Sequence, residues 1–598
     1  MKKIPIVMLL CILLTQAAFS DNNQVLKKSW AHYIKQKVAI NGRPLADKDQ
    51  ADLSKGSYGK ELTFSETVSY VLFRAVLIDD QKTFDEVWEW SVNNLMRKNI
   101  PRVFNWASSR WQTMPEEKKD YLFAWRYTPN IKRTNIGGIV YVPSREMPSQ
   151  GWRNGIDAAP DGDQLIAGAL IMAHNKWGSR DGEFNYQHYA KNIISDVWEK
   201  CVTYKELGVL DDFENDASIG NWFTYADSSG RIMKSLEEQG TNQYYSLESF
   251  GAKWYGVGKY IGGMDISNYE GIKFSSRENN GVKIILEDTA GNKVSYTKRY
   301  GYSDVLETHQ VHFSSFSRED FDWASINNIL FQPVGDCFAL DNVAFLIPGQ
   351  DASNSAYHLL SNDRGDPWIN ISYYMPFLYE SFAQYDPGHP WEELLEDALV
   401  QIKKSKSITL YNEAGQKFKG NGALVPDWCM LSNDNQFTDL PWAQDGKIDD
   451  YLHSWDAFRT WYFLGLTNKV SPERGVEKLL RDGTFQFFTE KLRKENKLLG
   501  GYAINGKTLD VRGIQYEYPS SYGVYLAYFT ALGEDYYTEK ILRKLRGFYR
   551  RAGYWGDNPN DYYKQNWAWM GLYFYENKGE NVKQLLKYTE QVALKYTD

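Results

Sequence analysis

Cysteine and histidine are scarce in this chain of 598 residues, which contains four Cys and eight His. Cys11 falls in an apolar stretch near the N-terminus, and the remaining three, Cys201, Cys337 and Cys429, have no close spacing. An odd set of distant cysteines provides neither a disulfide framework nor a thiolate metal site. The sequence also lacks a Walker-type loop, a Gly-x-Gly-x-x-Gly turn after a strand and a His-Glu-x-x-His motif. These absences argue against a histidine-rich metal enzyme and leave the fold to be held by its core.

Positive charge and long apolar runs are lacking too. The formal net charge is −8, whereas a nucleic-acid binder normally carries a basic stripe. The apolar run from Ile6 to Leu14 is too short to span a membrane, and no later run is long enough. Because two lysines precede this run and small residues follow it, residues 1–20 are typical of a secretory signal cleaved before Asp21. We therefore predict a secreted or periplasmic protein with no nucleic-acid partner and no membrane span.

Aromatic residues, by contrast, are abundant. They make up 15% of the chain, which includes 21 Trp and 42 Tyr. Aromatic rings stack on nucleobases and on the apolar C–H faces of sugars, and they also fill protein cores. Since the negative charge disfavours nucleic acid, two interpretations remain, a carbohydrate ligand and a large aromatic core.

The local pattern of the sequence changes twice along the chain. Helical periodicity dominates first, then short alternating runs separated by Gly, Asn, Ser and Asp turns, and then helical periodicity again. Two of the later helices are predicted near 371–385 and 452–466. The sequence therefore predicts a mainly α fold of about a dozen helices in two parts, 21–206 and 351–598, interrupted by an all-β domain at 207–350.

Acidic residues stand at or near the starts of three predicted helices. Asp161, with Asp163 two residues later, occupies the position expected of an N-cap, where backbone N–H groups would keep it ionised. Glu66 opens a second helix. Asp456 precedes Arg459 by three residues, so both face one side of a helix and the carboxylate stays ionised, as a general base requires. Taken singly, each acid is explained at least as well by a cap, a helix-dipole contact or a surface ion pair.

In their order along the chain, these elements resemble glycoside hydrolase family 8, whose enzymes are inverting β-1,4-glycanases on an (α/α)6 barrel. The most recognisable part is Ala159-Pro-Asp-Gly-Asp163, followed by Trp177-Gly178. Weaker similarities lie at Ser65-Glu66 with Ser69-Tyr70, Phe84 to Trp88, Phe123-Ala-Trp125, Ile371 to Pro376, Trp455-Asp-Ala457 with Arg459, and Asp561 to Gly571. The resemblance implies an (α/α)6 barrel interrupted by an inserted β domain.

The resemblance also implies roles for the matched positions. Glu66 would be the general acid, Asp456 the general base, and Asp161 would grip the distorted sugar at the point of cleavage. Tyr373 would help to place the attacking water, with Arg459 beside it. An inverting pair needs its carboxyls roughly 6.5–9.5 Å apart, and the acid needs an apolar or anionic setting that raises its pKa. Further candidate sugar contacts, with packing inside the barrel as the alternative, are Trp125, Trp368, Tyr562 and Tyr563.

The implied reaction is hydrolysis of a β-1,4-linked polysaccharide or oligosaccharide by a monomer without a catalytic cofactor. The Ala-Pro-Asp-Gly-Asp form of the signature favours xylan or xylo-oligosaccharides, and β-1,4-glucan is the alternative. Chitosan is a further alternative, because its amines would require extra acids, and six are available: Asp427, Asp434, Asp439, Asp445, Asp449 and Asp450.

The sequence departs from the family pattern in two places. Thr67, directly after Glu66, and Val71, directly after Tyr70, replace glycines that are usual in the family, so the cleft could be narrower or Glu66 displaced. The Leu-His-Pro-like block of exo-acting members is absent at Tyr518 to Tyr522, which favours an endo mode. A non-catalytic glycan-binding protein is the alternative from another functional class.

The predicted insertion resembles a jelly-roll carbohydrate-binding module at Leu210 to Glu214 and at Phe338 to Phe345. Such folds often hold a structural calcium between their terminal strands, and oxygen ligands suit that ion. Asp212 and Asp341 are therefore candidate calcium ligands. Five aromatic residues are candidates for glycan contact, with core packing as the alternative: Trp222, Tyr225, Trp254, Tyr255 and Tyr260.

Overall fold

The computed structural model describes most of the chain in seventeen segments. They are 21–46, 62–105, 108–131, 136–141, 155–206, 209–211, 222–239, 242–267, 269–277, 280–316, 321–335, 337–346, 355–412, 415–431, 437–439, 451–511 and 513–587. The predicted signal peptide and Asp212 lie outside the described residues. Two compact units result: a helical unit that ends at Thr203 and resumes at Tyr357, and a β unit at Tyr204–Ala356.

The helical unit contains fourteen α-helices among the described residues. In chain order they are α1 (Asn22–Lys37), α2 (Ser65–Ile78), α3 (Gln81–Asn94), α4 (Pro160–Trp177), α5 (Tyr186–Cys201), α6 (Pro376–Tyr385), α7 (Trp391–Ser405), α8 (Arg459–Val470), α9 (Val476–Leu480), α10 (Gln486–Lys494), α11 (Pro519–Ala531), α12 (Asp535–Phe548), α13 (Tyr562–Asn577) and α14 (Glu580–Leu586).

Two of the predicted helices begin later than the periodicity indicated. The helix predicted from residue 371 begins at Pro376, because Ile371–Tyr373 form a 3₁₀ turn before it. The helix predicted from residue 452 begins at Arg459, because Leu452–His453 form a short strand. In both places the apolar pattern is the same in turn and helix, so periodicity alone could not separate them.

Burial divides the helices into two classes. Every residue of α11 is buried, and α2, α4 and α13 are buried on nearly all sides. On α12, by contrast, only Thr538, Ile541, Leu542 and Leu545 are buried, which is one stripe at spacings of three and four. Helices that are apolar all round must lie inside a second layer of helices, and amphipathic helices supply that layer.

The buried helices α2, α4, α6, α8, α11 and α13 form a closed ring. Each contacts the next, and the sixth contacts the first. The contacts are Ser65 with Gly162, Gly168 with Leu378, Phe377 stacked on Phe463, Asn468 Nδ2 donating to the Ala531 carbonyl, Gly523 against Gly571, and Tyr573 Oη donating to the Leu77 carbonyl. Helices α1, α3, α5, α7, the pair α9 and α10, and α12 alternate with them along the chain. This is the helix order of an (α/α)6 barrel.

Proline fixes the starts of three ring helices. Pro160, Pro376 and Pro519 each occupy the first turn of their helix, where the missing N–H would have no helical partner anyway. Because the start of each helix is fixed, so is the direction of the side chains that follow. The chain thereby sets which residues of these helices meet at their N-terminal ends.

Five strands of the helical unit precede the β unit and form one sheet in the order β1–β4–β5–β2–β3. They are β1 (Thr63–Phe64), β2 (Arg102–Asn105), β3 (Arg110–Thr113), β4 (Arg126–Ile131) and β5 (Ile136–Tyr141). Strand β1 runs directly into α2 and pairs with β4 through Phe64 and Arg126. The sheet therefore holds the chain where it enters the helix that carries Glu66.

Thirteen strands lie in or at the borders of the β unit. They are β6 (Val202–Glu206), β7 (Val209–Asp211), β8 (Trp222–Ala226), β9 (Arg231–Gln239), β10 (Asn242–Phe250), β11 (Tyr255–Met264), β12 (Gly271–Arg277), β13 (Gly281–Asp288), β14 (Lys293–Arg299), β15 (Glu307–His312), β16 (Ile326–Pro333), β17 (Cys337–Leu346) and β18 (Ser355–Leu359). One antiparallel sheet has the order β15–β12–β17–β10–β9 with β7 beside β17, and the other has the order β14–β13–β16–β11–β8.

The two sheets share one core. Alternate residues such as Ile272 and Phe274 on β12, and Ile284 and Phe331 on β13 and β16, belong to a single buried cluster. Alternation at a period of two is what a strand with one buried face requires. The sheets therefore pack face to face as a sandwich.

The remaining strands are short and belong to the helical unit. They are β19 (Trp368–Ile369), β20 (Thr409–Tyr411), β21 (Lys417–Lys419), β22 (Cys429–Leu431), β23 (Phe437–Thr438), β24 (Leu452–His453), β25 (Tyr502–Ala503), β26 (Tyr549–Arg550) and β27 (Tyr554–Trp555). Within the described ranges, no helix combines the length and the apolarity needed to cross a membrane.

Candidate active site

The candidate site lies at the N-terminal ends of the ring helices. Glu66 and Asp161 are each the second residue of their helix, α2 and α4, and Arg459 is the first residue of α8. Asp456 lies in the turn just before α8, and Tyr562 is the first residue of α13. Since these helix ends belong to one ring, residues almost 500 positions apart in the sequence come into contact.

Arg459 is the centre of this arrangement, which we call the carboxylate cluster (Glu66, Asp161, Asp456 and Arg459). Its Nη1 donates to Glu66 Oε1 at 2.7 Å and to Asp161 Oδ2 at 3.1 Å, and its Nη2 donates to Asp456 Oδ1 at 2.8 Å. The Arg459 side chain is only 2% exposed. One buried cation thus faces three carboxylates, so the cluster carries excess negative charge when all three are ionised.

Glu66 is held by two hydroxyl groups in addition to the guanidinium. Tyr70 Oη donates to Glu66 Oε1 at 2.6 Å, and Tyr562 Oη donates to Oε2 at 2.7 Å. Tyr70 lies four residues after Glu66, so both project from the same face of α2. The Glu66 side chain is 20% exposed, which leaves it accessible from the cleft.

Asp161 differs from the sequence expectation in two respects. The N-cap of α4 is Ala159, so the prediction that Asp161 caps the helix is wrong, and its Oδ1 instead accepts from the N–H of Gly162 at 2.8 Å. Burial raises the pKa of the Asp161 carboxyl to about 7, with Arg459 opposing this and the charge of Glu66 adding to it. The carboxyl is therefore partly protonated near neutral pH.

Asp163 does not join the cluster. It is fully buried, and its Oδ1 accepts from the backbone N–H of Phe123 at 2.8 Å. Two residues along a helix correspond to more than half a turn, so adjacent acids of the motif face different surroundings. Asp163 fastens the segment before Trp125 to α4.

Asp456 is the most open of the three cluster carboxylates, with 33% of its side chain exposed. Its Oδ2 accepts from the indole N–H of Trp428 at 3.0 Å, and Oδ1 accepts from Arg459. The two donors leave the carboxylate fixed in orientation and open to solvent. A base that must take a proton from water needs both properties.

Asp427, which the sequence indicated only as one of six acids for a chitosan site, lies buried behind Asp456. Its Oδ1 accepts from the backbone N–H groups of Ser454 and Ala457, each at 2.8 Å, and its Oδ2 accepts from the Ser454 hydroxyl. Burial raises the pKa of Asp427 to about 7, and the charge of Asp456 acts in the same direction. Asp427 therefore organises the turn that carries Asp456.

The aromatic candidates occupy different environments. Trp125 is half-buried and stacks on Phe64 with ring centroids 5.5 Å apart, and Trp368 is half-buried on β19. Tyr373 is 9% exposed, lies 5.5 Å from the Arg459 guanidinium and meets the Trp428 ring edge-on. Burial and the charges of Asp161 and Asp456 raise the pKa of Tyr373, so its hydroxyl stays protonated and able to donate.

The two tyrosines of α13 are less open than stacking platforms need to be. Tyr562 is 6% exposed and its hydroxyl binds Glu66. Tyr563 is half-buried and its hydroxyl donates to the Trp455 carbonyl. Both orient other residues of the site with their hydroxyl groups. Trp428 and Tyr70 were missed as site residues, and only Tyr70 had a local signal, its spacing of four from Glu66.

The predicted calcium ligands receive no further support. Asp341 is buried and accepts from Asn342 Nδ2 at 2.8 Å. Its proposed partner, Asp212, lies outside the described residues. Across the part of the chain that the structure describes, no group of three or more Asp, Glu, His or Cys side chains is placed to hold a metal ion.

Comparison with known proteins finds a family match in the first part of the chain. The family model of glycosyl hydrolases family 8 matches residues 3–211, which include Glu66 and Asp161. The resemblance predicted from the sequence motifs is thereby confirmed for these residues. The alternating ring of helices is the (α/α)6 barrel that the resemblance implies.

The relatives of this chain include proteins with different named activities. Endoglucanase 2 of Ruminiclostridium josui is 30% identical over 183 residues, which are 31% of this chain and 30% of that protein. A reducing-end xylose-releasing exo-oligoxylanase of Paenibacillus barcinonensis is 28% identical over 136 residues, 23% of this chain and 26% of that protein. The matching region thus spans less than a third of either relative.

A solved structure is similar over most of the chain at low identity. It is a catalytic mutant of a GH8 xylanase from Teredinibacter turnerae in complex with xylohexaose, 12% identical, with a TM-score of 0.47 and coverage of 96% of both chains.

The family match ends well before Asp456 and Arg459. What connects these two residues to the matched part is the direct hydrogen bonding of Arg459 to Glu66 and Asp161. The family assignment and the contact geometry are therefore independent, and they meet at the same two acids.

Proposed function

We propose that this protein is an inverting glycoside hydrolase that cleaves β-1,4-linked glycans at the carboxylate cluster. One observation carries the proposal: a single buried guanidinium holds Glu66 through Nη1 and Asp456 through Nη2. Hydrolysis of a glycosidic bond by a general acid and a general base requires two carboxyl groups in fixed positions. Here one guanidinium holds both.

In the proposed reaction, Glu66 is the general acid and Asp456 the general base. Asp456 takes a proton from water as that water attacks the anomeric carbon, and Glu66 gives its proton to the departing glycosidic oxygen. Inversion requires a separation of roughly 6.5–9.5 Å between the two carboxyls, which leaves room for the water. The greater exposure of Asp456, 33% against 20% for Glu66, supports its role as the group that meets water.

The other cluster residues have positioning roles in this proposal. Asp161, partly protonated near neutral pH, binds hydroxyl groups of the sugar at the cleavage point, and Tyr373 donates its hydroxyl toward the attacking water. Arg459 balances the charge that changes when Glu66 loses and Asp456 gains a proton. Such preorganised charge in a buried site stabilises the transition state more than the same groups would in water.

The proposed substrate class is a β-1,4-linked glycan, with xylan or xylo-oligosaccharides favoured and β-1,4-glucan as the alternative. Names among the relatives include both endoglucanases and exo-oligoxylanases, so they support the linkage class and leave the sugar open. The chitosan alternative loses one of its motivating acids, because Asp427 is buried and bonded to its own turn. Asp434, Asp445, Asp449 and Asp450 lie outside the described residues.

The test is release of reducing ends from xylan, β-glucan, carboxymethylcellulose and chitosan by the parent chain and by Glu66→Gln. We expect one polymer to be cleaved by the parent, with a loss of about 10²–10⁴-fold in the variant. Glu89→Gln, which changes the same residue type on α3, is the matched control and should retain full activity.

Stereochemistry provides the second measurement. Proton NMR of the first product should show the α-anomer, because inversion at a β-linked carbon produces it. A β-anomer would contradict the inverting mechanism. Absence of reducing-end release from all four polymers and from xylo-oligosaccharides would favour a non-catalytic glycan-binding protein instead. We further propose export of the protein, on the basis of the signal-like pattern of residues 1–20.

A further inference from the structure

The β unit contains a cavity of about 500 Å³ on the open face of its five-stranded sheet. We call it the aromatic groove, and its lining includes Phe223, Tyr225, Trp254, Leu330 and Gln332. These residues come from β8, β16 and the position just before β11, on the side of the sheet opposite the core residues Trp222, Val257 and Phe331. The groove is thus separate from the sandwich core.

Two glycines make the floor of the groove. Gly256 pairs with Tyr225, and Gly258 pairs with Phe223, across β11 and β8. A Cβ atom at Gly258 would come 2.6 Å from Phe223 Cζ, and one at Gly256 would come 2.6 Å from Tyr225 Oη. The rings therefore lie over backbone that has no side chain, which is the close approach that glycine in a strand permits.

Three rings follow one another along the groove. The centroids of Phe223 and Tyr225 are 6.4 Å apart, and those of Tyr225 and Trp254 are 6.3 Å apart. Phe223 is 41% exposed and Trp254 is 46% exposed, although Trp222 and Tyr255, beside them in the sequence, are in the core. A contiguous exposed row of aromatic rings is uncommon on a protein surface unless it binds something.

The polar groups of the groove restrict its ligand. Gln332 contributes an amide, and Lys293 at the rim is near Glu287 at 3.5 Å. No carboxylate is among the described residues that line the groove. Flat apolar ring faces beside an amide suit the C–H faces and hydroxyl groups of sugars, and the absence of acids gives no attraction for a cationic chain.

We propose that the aromatic groove binds a segment of an uncharged β-linked polysaccharide, with sugar rings stacked over Phe223, Tyr225 and Trp254. That this polysaccharide is also the polymer hydrolysed at the carboxylate cluster rests on the proposed function. The binding of a polysaccharide in the groove does not depend on it. Of the five aromatic residues suggested by sequence, Tyr225 and Trp254 line this site, and Trp222, Tyr255 and Tyr260 do not.

The experiment is affinity gel electrophoresis of the full chain with xylan or β-glucan in the gel. The Glu66→Gln background prevents degradation of the polymer. Trp254→Ala and Phe223→Ala are the test variants, and both change exposed residues, so the core is untouched. Tyr302→Ala, which removes a 65% exposed ring elsewhere in the β unit, is the matched control. We expect each test variant to bind the polymer about tenfold more weakly and the control to bind like the parent.

A second variant tests the glycine floor. Gly258→Ala keeps every aromatic residue and pushes the Phe223 ring out of place, so it should also weaken polymer binding. Equal binding by the parent, Trp254→Ala and Phe223→Ala would overturn the proposal, as would a parent that binds neither polymer.

Hydrolysis of a short oligosaccharide, measured with the same substitutions in a chain that retains Glu66, separates the two proposals. Intact hydrolysis with weakened polymer binding supports the groove. An equal loss of both would show that the substitution disturbs the barrel site and would overturn a distinct binding role. Absence of hydrolysis with groove-dependent binding intact would contradict only the proposed function.

Discussion

The carboxylate cluster and the aromatic groove differ in almost every physical property. The cluster gathers one cation and three acids at the ends of buried helices, and burial there raises the pKa of Asp161 to about 7. The groove has no carboxylate among its described lining residues and exposes two of its three rings by more than 40%. Moving protons requires charges that are fixed and partly desolvated, whereas holding a neutral chain requires apolar area of the right shape.

The two regions also differ in how the chain builds them. The cluster needs residues from α2, α4 and the start of α8, which are up to 393 positions apart. Most of the groove needs only alternate residues on adjacent strands, where pairing places Phe223 and Tyr225 opposite two glycines. Substitution in the cluster should therefore affect catalysis and stability together, and substitution in the groove should affect polymer binding alone.

The largest effect is expected for Asp456→Asn. Loss of the base should reduce kcat by about 10²–10⁴-fold, because an amide cannot accept the proton of the attacking water. The measurement is reducing-end release from the substrate that the parent cleaves. Asp535→Asn, at the exposed start of α12, is the control. An Asp456→Asn chain that keeps a third of the parent activity would remove Asp456 from the mechanism.

Arg459→Lys should have the next largest effect. A lysine ammonium is a single point charge and cannot face three carboxylates in the fixed geometry of a guanidinium. Misplacement of the acids should reduce kcat by about 10²-fold, and thermal unfolding should occur at a lower temperature. Arg474→Lys, which changes a half-exposed arginine paired with Glu380 and Glu396, should change neither measurement. Equal effects of the two substitutions would contradict a central role for Arg459.

Tyr562→Phe removes one donor from Glu66 and leaves the ring in place. A hydrogen bond to a charged group is worth about 1.5–3 kcal/mol, so kcat should fall about tenfold or somewhat more. Tyr573→Phe is the control on the same helix, since its hydroxyl donates to the Leu77 carbonyl at the other end of the barrel. If Tyr562→Phe leaves kcat and KM unchanged, the resting contact with Glu66 has no part in turnover.

Asp427→Asn tests the buried charge behind the base. In the parent, the pKa of Asp427 is raised to about 7 from an ordinary value of 3.8. Between these values the folded state holds a proton that the unfolded state has lost, so this group stabilises the fold at low pH and loses that effect as the pH rises toward 7. The measured quantity is the free energy of unfolding of the parent minus that of the variant. Between about pH 5 and pH 8 this difference should decrease by an amount on the order of a few kcal/mol.

Thermal unfolding of both chains at the two pH values measures this difference, and Asp535→Asn should show none. A parent and an Asp427→Asn variant with the same pH dependence would indicate that the Asp427 carboxyl is ionised in the fold. An ionised Asp427 would add its negative charge to that of the three acids around Arg459.

The smallest effect is expected for salt on the groove. Binding of an uncharged polymer by stacking should change less than about twofold between about 50 and 500 mM NaCl, because screening acts on charge pairs. Affinity electrophoresis of the Glu66→Gln chain at both salt concentrations measures this. A strong weakening by salt would indicate a charged ligand, and with it a different occupant of the groove.

Sequence reasoning was strongest where one residue decides a local structure. Glu66 in the first turn of a helix follows from its position before an apolar stripe, and the structure has it there. Asp161 was misjudged as a cap because Pro160 also fits the first helical position and moves the cap back to Ala159. This shift of two residues at the helix start leaves Asp161 Oδ1 on the N–H of Gly162 and brings Oδ2 to Arg459.

Other structural features could not be predicted from the residues next to them in the sequence. Asp427 and Trp428 lie 29 and 28 residues before Asp456, in a segment with no periodic pattern, and only the fold brings them against it. Trp222 and Trp254 are the same residue type, yet Trp222 is 1% exposed and Trp254 is 46% exposed. Which face of a strand is covered depends on the opposing sheet, and the opposing sheet is not visible from the strand.

The sequence by itself indicated the resemblance to glycoside hydrolase family 8, the helical and strand-rich portions of the chain and the candidate catalytic acids, because period, turn residues and motif order are local properties. The tertiary structure alone decided that Glu66, Asp161 and Asp456 share Arg459, that Asp163 does not, and that Phe223 and Trp254 form a groove. Contacts between distant segments follow from how six helices close into a ring and how two sheets cover each other. Those packing relations determine burial, which raises the pKa of Asp161 and Asp427 and sets the exposure of each ring.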